Sequence, residues 1–246
     1  MKFKQTGSVL KTEPVSQQPV FKFIQMSFSI QYHSKFEPGN FYHVIAKAVD
    51  GVKLFANDEN KLYFLRRFAA YIPAFADVYA YCLLDNHIHC MVKPKPDEEI
   101  DSYLKSIGDE NLTITQKRFL ADKNRFDFNE LIETQFNYLF VSYVRSFNKM
   151  YQRKGGMFNK PFRCIEVEDD AHFSQLIIYI HANPLKHKLM NDFTQYHWSS
   201  YQTFISNSQT LIKREEVLEW FGGRQQFIEA HTTQANFYYK HNLSGE

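Results

Sequence analysis

Two apolar runs divided by a two-residue break, "ADVYAYCLLD" and "HIHCMVKPK", narrow the fold more than anything else in this chain. Each reads as a strand, and the tight break at Asp85-Asn86 turns the second back on the first as a hairpin. A further strand begins in "PGNFYHVIAKAVDG", where Phe41, His43 and Ile45 alternate with Tyr42, Val44 and Ala46 before the Asp50-Gly51 turn. Between them, "NDENKLYFLRRFAAYI" has Asn57 or Asp58 as a cap and Leu62, Leu65, Phe68 and Ala69 at helical spacing. A long helix follows over "ELIETQFNYLFVSYVRSFNKMYQRKGG", stopped by Gly155-Gly156. Then come a strand, "PFRCIEVE", and a helix, "DDAHFSQLIIYIHANP", capped by Asp169 or Asp170 and closed at Asn183-Pro184. The order β-α-β-β-α-β-α predicts an α+β fold, an antiparallel sheet with helices packed on one face.

A central domain and two flanks make up the layout. Residues 1–36 read as an N-terminal extension, 37–190 as the central domain, and 191–246 as a C-terminal helical extension containing "REEVLEWFGG" and "RQQFIEAHTT". Within the central domain, 94–129 is charged and irregular, like an insertion. The 246 residues are 44% hydrophobic and 17% aromatic, enough for a sizeable core. A formal net charge of only +2 excludes a broadly basic surface, so any nucleic acid must meet local patches. Three cysteines, an odd number, read as reduced, and no apolar run reaches secretory or membrane-spanning length. A cytoplasmic protein without membrane attachment is the expectation.

The chemistry begins with His87 and His89. Strand side chains alternate, so both imidazoles point one way while Ile88 and Cys90 point the other. Set about 7 Å apart by two strand rises, they can converge on one divalent ion. A solvated edge strand would also carry such a pair. A second group of residues lies in "LIIYIHANPLKHKLM": Tyr179 and Asn183 are four apart and share a helix face with Leu176 and His172. A phenol is a weak nucleophile at neutral pH, but beside a metal that polarises a phosphodiester it becomes a covalent catalyst. Asn183 offers a hard oxygen to the same ion. Its position before proline pushes its backbone away from the α region.

Four stretches in order then resemble the single-tyrosine transposases of the HUH class, above all the REP-associated tyrosine transposases. They are "PGNFYHVIAKAVDGVKLFANDENKLYFL", "YCLLDNHIHCMV", "FNKMYQRKGGMFNKPFRCIEVEDD" and "YIHANPLKHKLMNDFTQYHWSSY", together running from about Phe36 to Phe204. The resemblance implies a ferredoxin-like catalytic domain. His87 and His89 match the family's metal pair, Tyr179 its nucleophile, and Asn183 the third ligand, which is glutamine in the insertion-sequence members. The implied cofactor is Mg2+ or Mn2+. The implied reaction cuts single-stranded DNA near a hairpin, leaving a 5′-phosphotyrosyl link and a free 3′-hydroxyl, and then rejoins it. Family members act as monomers or homodimers. Asp85 stands where the family often has proline, and the 94–129 stretch is longer than in compact members.

For DNA contact the candidates are Arg145, Lys149, Arg153 and Lys154 on the long helix and its following loop, Arg163 on the next strand, and Lys186 and Lys188 after the tyrosine. A rival reading keeps hairpin binding and drops catalysis, as in a domesticated protein of the same fold. A relaxase-like reading requires further domains that 246 residues do not hold.

Overall fold

The computed structural model describes residues 33–123 and 125–235. Within them lie four strands, β1 (Phe41–Lys47), β2 (Ala76–Leu83), β3 (His87–Pro94) and β4 (Arg163–Val167). Eight α-helices accompany them: α1 (Asp58–Tyr71), α2 (Asp97–Ser106), α3 (Ile114–Ala121), α4 (Phe128–Met150), α5 (Asp170–Lys186), α6 (Tyr201–Ile205), α7 (Arg214–Trp220) and α8 (Arg224–Ala235). The strands form one antiparallel sheet in the order β2-β3-β1-β4. Its hairpin is as tight as the sequence implies, Leu84 N–H donating to the carbonyl of His87 at 2.9 Å.

Helix α1 carries the chain from β1 past β3 to β2, and α4 carries it from β3 past β1 to β4. Crossovers between parallel strands are almost always right-handed, which puts both helices on the same face. There Phe64, Phe68, Phe136 and Leu139 cover Val44, Ala46, Ile88 and Cys90. This is the α+β, ferredoxin-like arrangement expected. The expected single helical layer describes only these crossover helices. The opposite face is covered by α5 with α6, α7 and α8, because Cys82, Leu84 and Met91 point that way and are fully apolar.

Local signals explain most boundaries. Asn57 caps α1 by accepting from Asn60 N–H at 3.0 Å, and Asp169 caps α5 by accepting from His172 N–H at 2.7 Å. The 94–129 stretch is a folded part of the core: Ile100 and Leu104 of α2 and Phe119 of α3 are buried with the crossover helices. Its charges sit on the outer faces, Asp97, Glu98 and Glu99 occupying the first turn of α2 where a helix dipole favours them. Helix α4 ends at Met150, before the glycines, since Gln152 takes a left-handed φ of 50° and Asn148 Nδ2 ties back to the Gly155 carbonyl at 2.9 Å. Helix α5 runs through Pro184 to Lys186. Burial of Asn183 and Pro184 and the His187 N–H bond to the Asn183 carbonyl, 3.0 Å, hold the last turn despite proline.

Neither flank stands apart where it is described. Phe36 is buried in the core and Ser34 N–H bonds to the Cys164 carbonyl on β4, so the fold reaches back into the expected extension. Residues 1–32 of that extension, Asn124 and residues 236–246 lie outside the described residues. The C-terminal helices share one hydrophobic cluster with α5, so 191–235 is part of the domain rather than an appendage. All three cysteines are free and buried. Among the described residues no helix is long and apolar enough to cross a membrane.

Candidate active site

Strand alternation does what the sequence predicts. Ile88 and Cys90 enter the core under α1 and α4, and His87 and His89 turn toward α5. Their ring centroids lie 4.9 Å apart, nearly perpendicular. Tyr179 of α5 comes down onto the same spot, its ring 5.6 Å from that of His89 and at 89° to it. Phenol and imidazole pair, from elements distant in sequence, thus share one surface. Tyr179 is half-buried.

Asn183 lies one helical turn on and is fully buried. Its Nδ2 donates to the Tyr179 carbonyl at 2.8 Å. That oxygen can only accept, so the amide orientation is fixed and Oδ1 faces away from the helix backbone. Both Asn183 Oδ1 and His89 Nε2 are buried without a hydrogen-bond partner. Buried polar atoms are seldom left so, and here two sit beside the same tyrosine.

Burial pushes the His87 imidazole down to about 4, helped by His187, Lys186 and Lys47, and holds His89 well below the usual histidine range, with His43 and His87 contributing. Both rings are therefore neutral near pH 7, with lone pairs to give. Two neutral imidazoles and a free amide oxygen fit a divalent metal ion, Mn2+ better than the harder Mg2+. None of the three donors bears charge, so a bound ion would keep its full positive charge toward an anion. Among the described residues no three His, Cys, Asp or Glu side chains are grouped to hold a metal. The candidate set consequently depends on the Asn183 oxygen.

Several further groups border the site. Lys186 Nζ donates to Tyr179 Oη at 3.1 Å and lies 4.8 Å above its ring centroid. The His187 ring is 4.5 Å from that of His87. Lys47 is the register partner of His87 across β1 and β3. A cleft of ≈ 470 Å³ opens beside them, lined in part by Lys47, Lys53, Asn86 and His187. Asp85, at the hairpin turn, faces Lys61 of α1 at 3.6 Å, and its carbonyl accepts from Leu54 N–H, which gives it a structural role.

His43 joins the site without a local sequence signal. It is buried on β1, its Nε2 lies 2.9 Å from His89 Nδ1, and burial pushes it down to about 3. In sequence it was one member of an alternating strand. Only the register of β1 against β3, which sets Ile45 opposite His89, brings it here. Lys47 was hidden for the same reason.

The seven DNA candidates fall into separate places. Lys186 touches the phenol, and Lys188, exposed with φ 54°, follows the end of α5. Arg163 is the partner of Ile45 in the β1–β4 register, so it lies in the row that runs across the sheet from His89. Arg145 and Lys149 are exposed on α4, on the other side of the sheet from His87 and His89. Arg145 lines a separate cleft of ≈ 250 Å³ with residues 155–160. Arg153 is bonded to Asn148 Oδ1 and the Gly156 carbonyl and so closes the loop after α4, where Lys154 is exposed.

No family model matches the chain, and no curated protein does. Among solved structures, the chain is similar to a REP-associated tyrosine transposase bound to a REP hairpin, at 12% sequence identity and a TM-score of 0.44, over 72% of this chain and 85% of that one.

Proposed function

We propose that this protein cuts and rejoins single-stranded DNA at hairpin or repeat sequences, with Tyr179 as nucleophile and Mg2+ or Mn2+ held by His87, His89 and Asn183. The observation that carries the reading is the Tyr179 phenol packed on the His89 ring, with His89 Nε2 buried and unpartnered and Asn183, bonded to the Tyr179 carbonyl, holding an equally unpartnered Oδ1. Hairpin DNA as substrate follows from the resemblance of the four sequence stretches. A bound divalent ion supplies Lewis-acid polarisation of a phosphodiester.

The chain's own groups do the rest. Tyr179 Oη forms a bond to phosphorus, its proton passing to water, while the bond from phosphorus to the 3′-oxygen breaks and that oxygen is protonated. The phosphodiester energy is kept in the 5′-phosphotyrosyl link, so no nucleotide triphosphate is required for rejoining. In rejoining, the tyrosine oxygen leaves with negative charge, and the Lys186 ammonium hydrogen-bonded to it stabilises that charge. Lys47 and Lys53, which line the cleft beside the site together with Asp50 and Asp85, offer positive charge to the flanking phosphates.

The test is incubation with labelled hairpin DNA and Mn2+ followed by a denaturing gel. The reading expects a metal-dependent covalent adduct that is lost in Tyr179→Phe. His87→Ala and His89→Ala should lose cleavage and keep most DNA affinity, because phosphate contacts dominate binding. Tight hairpin binding with no adduct would instead favour a non-catalytic binding protein of the same fold.

A further inference from the structure

We propose that His43 is a positioning residue for the metal site: it holds the proton of His89 on Nδ1 and thereby keeps the His89 Nε2 lone pair free. The inference rests on the metal site proposed above and adds a residue to it.

The His43 and His89 rings lie parallel within 25°, centroids 5.1 Å apart, with Nε2 of the first 2.9 Å from Nδ1 of the second. Both rings are almost wholly buried, at 2% and 3% exposure, so water cannot substitute for a missing partner. One proton must lie between the facing nitrogens, which leaves two arrangements. In the first, His89 Nδ1–H donates to His43, and His89 Nε2 is a bare lone pair. In the second, His43 Nε2–H donates to His89, and His89 Nε2 carries a hydrogen.

Hydrogen bonding alone does not separate them. His43 Nδ1 and His89 Nε2 both lack partners, so each arrangement leaves one buried donor and one buried acceptor unpaired. A cation separates them completely. In the first arrangement the orphaned lone pair of His89 becomes a ligand, whereas in the second an N–H points at the ion. His87 is prepared in the same way by a different group. Its Nδ1 is 2.6 Å from Asn86 Oδ1, an oxygen that only accepts, so its proton sits on Nδ1 and its Nε2 is free. Both histidines are therefore gripped at Nδ1. Metal-ligating histidines commonly donate that hydrogen to a carboxylate or carbonyl, which fixes the ring and its tautomer. An imidazole acceptor does this without adding negative charge, so the site keeps its pull on a phosphate.

Three variants and one spectrum test this. His43→Phe keeps the ring and removes the acceptor; His43→Gln sets Oε1 near the place of Nε2 and restores it. Binding of Mn2+ to the DNA-free protein is followed by the electron paramagnetic resonance signal of the free ion, with thermal unfolding as the folding check. His43→Phe should bind Mn2+ about 10–100-fold more weakly, the usual effect of losing such a partner, and His43→Gln should bind close to wild type. With Zn2+ as a diamagnetic probe, nitrogen-15 spectra should show His89 protonated at Nδ1. Wild-type affinity in a folded His43→Phe, or His89 protonated at Nε2 in the Zn2+-bound protein, overturns the inference alone. Should His43→Phe not fold, the wild-type spectrum still decides. A wild-type protein that binds no divalent ion, His89→Ala behaving identically, overturns the metal site itself and this inference with it.

Discussion

Replacing His231 by leucine should destabilise the protein by an amount that can be worked out from one chain of hydrogen bonds. The Phe227 carbonyl only accepts, so His231 Nδ1 donates to it at 2.8 Å. That makes His231 Nε2 an acceptor, and His181 Nδ1 donates to it at 2.9 Å. His181 Nε2 therefore accepts from Ser200 Oγ at 2.8 Å, and the serine oxygen accepts from Tyr81 N–H at 2.9 Å. Every proton has one allowed place. Ser200, His181 and His231 are all 0% exposed, so no water replaces a lost partner. His231→Leu nearly conserves volume but strands the His181 Nδ1 hydrogen, costing about 1–3 kcal/mol. It also removes the ring contact with Phe227, centroids 3.9 Å apart, worth about 0.5–1.5 kcal/mol. Urea unfolding at neutral pH should show a total loss of about 1.5–4.5 kcal/mol. Ser200→Ala combined with His231→Leu should cost less than the two singly, because they share His181. A loss below about 0.5 kcal/mol, the range of ordinary surface changes, or strict additivity would refute the ladder. The functional stake is direct: His181 sits two residues from Tyr179 and two from Asn183, so the ladder fixes the helix that presents both.

Lys186→Met should slow rejoining more than cleavage, by about 10²-fold as for loss of one charge-stabilising donor; single-turnover kinetics with equal slowing of both steps would contradict the role of its bond to Tyr179. Burial pushes His43 and His231 from the ordinary 6.5 down to about 3. The unfolded chain then binds more protons below pH 6.5, so stability is full above that pH and falls as pH drops, by about 1.4 kcal/mol per unit for each ring. Metal-free unfolding curves that stay flat between pH 7 and 5 would rule this out. Lys47→Ala, beside His87, should weaken binding of single-stranded DNA more than Lys149→Ala on the far layer; the reverse order in salt titrations would move the DNA path to α4.

What the sequence disclosed was whatever depends on short-range periodicity. Alternation alone set His87 and His89 on one side, the Asp85-Asn86 break made the hairpin, and four-residue spacing joined Tyr179 to Asn183. Features decided by distant partners stayed hidden. His43 and Lys47 belong to the site only because β1 pairs with β3 in one register, and a shift of a single residue would turn both away. The 94–129 stretch looked irregular because its few buried residues, Ile100, Leu104 and Phe119, are diluted by surface charge. Pro184 marks a stop in sequence, yet the buried turn around Asn183 overrides it. The second helical layer is not legible in the sequence, because the two-sided burial of β2 and β3 shows there only as unbroken hydrophobicity.

Peptide mapping of a covalent protein–DNA complex tests the central claim most directly. After incubation with hairpin DNA and Mn2+, nuclease trimming and mass spectrometry should find a nucleotide phosphate ester on the phenol of Tyr179, absent when the metal is chelated. DNA cut without any such ester, or an ester borne by another residue, would contradict the account.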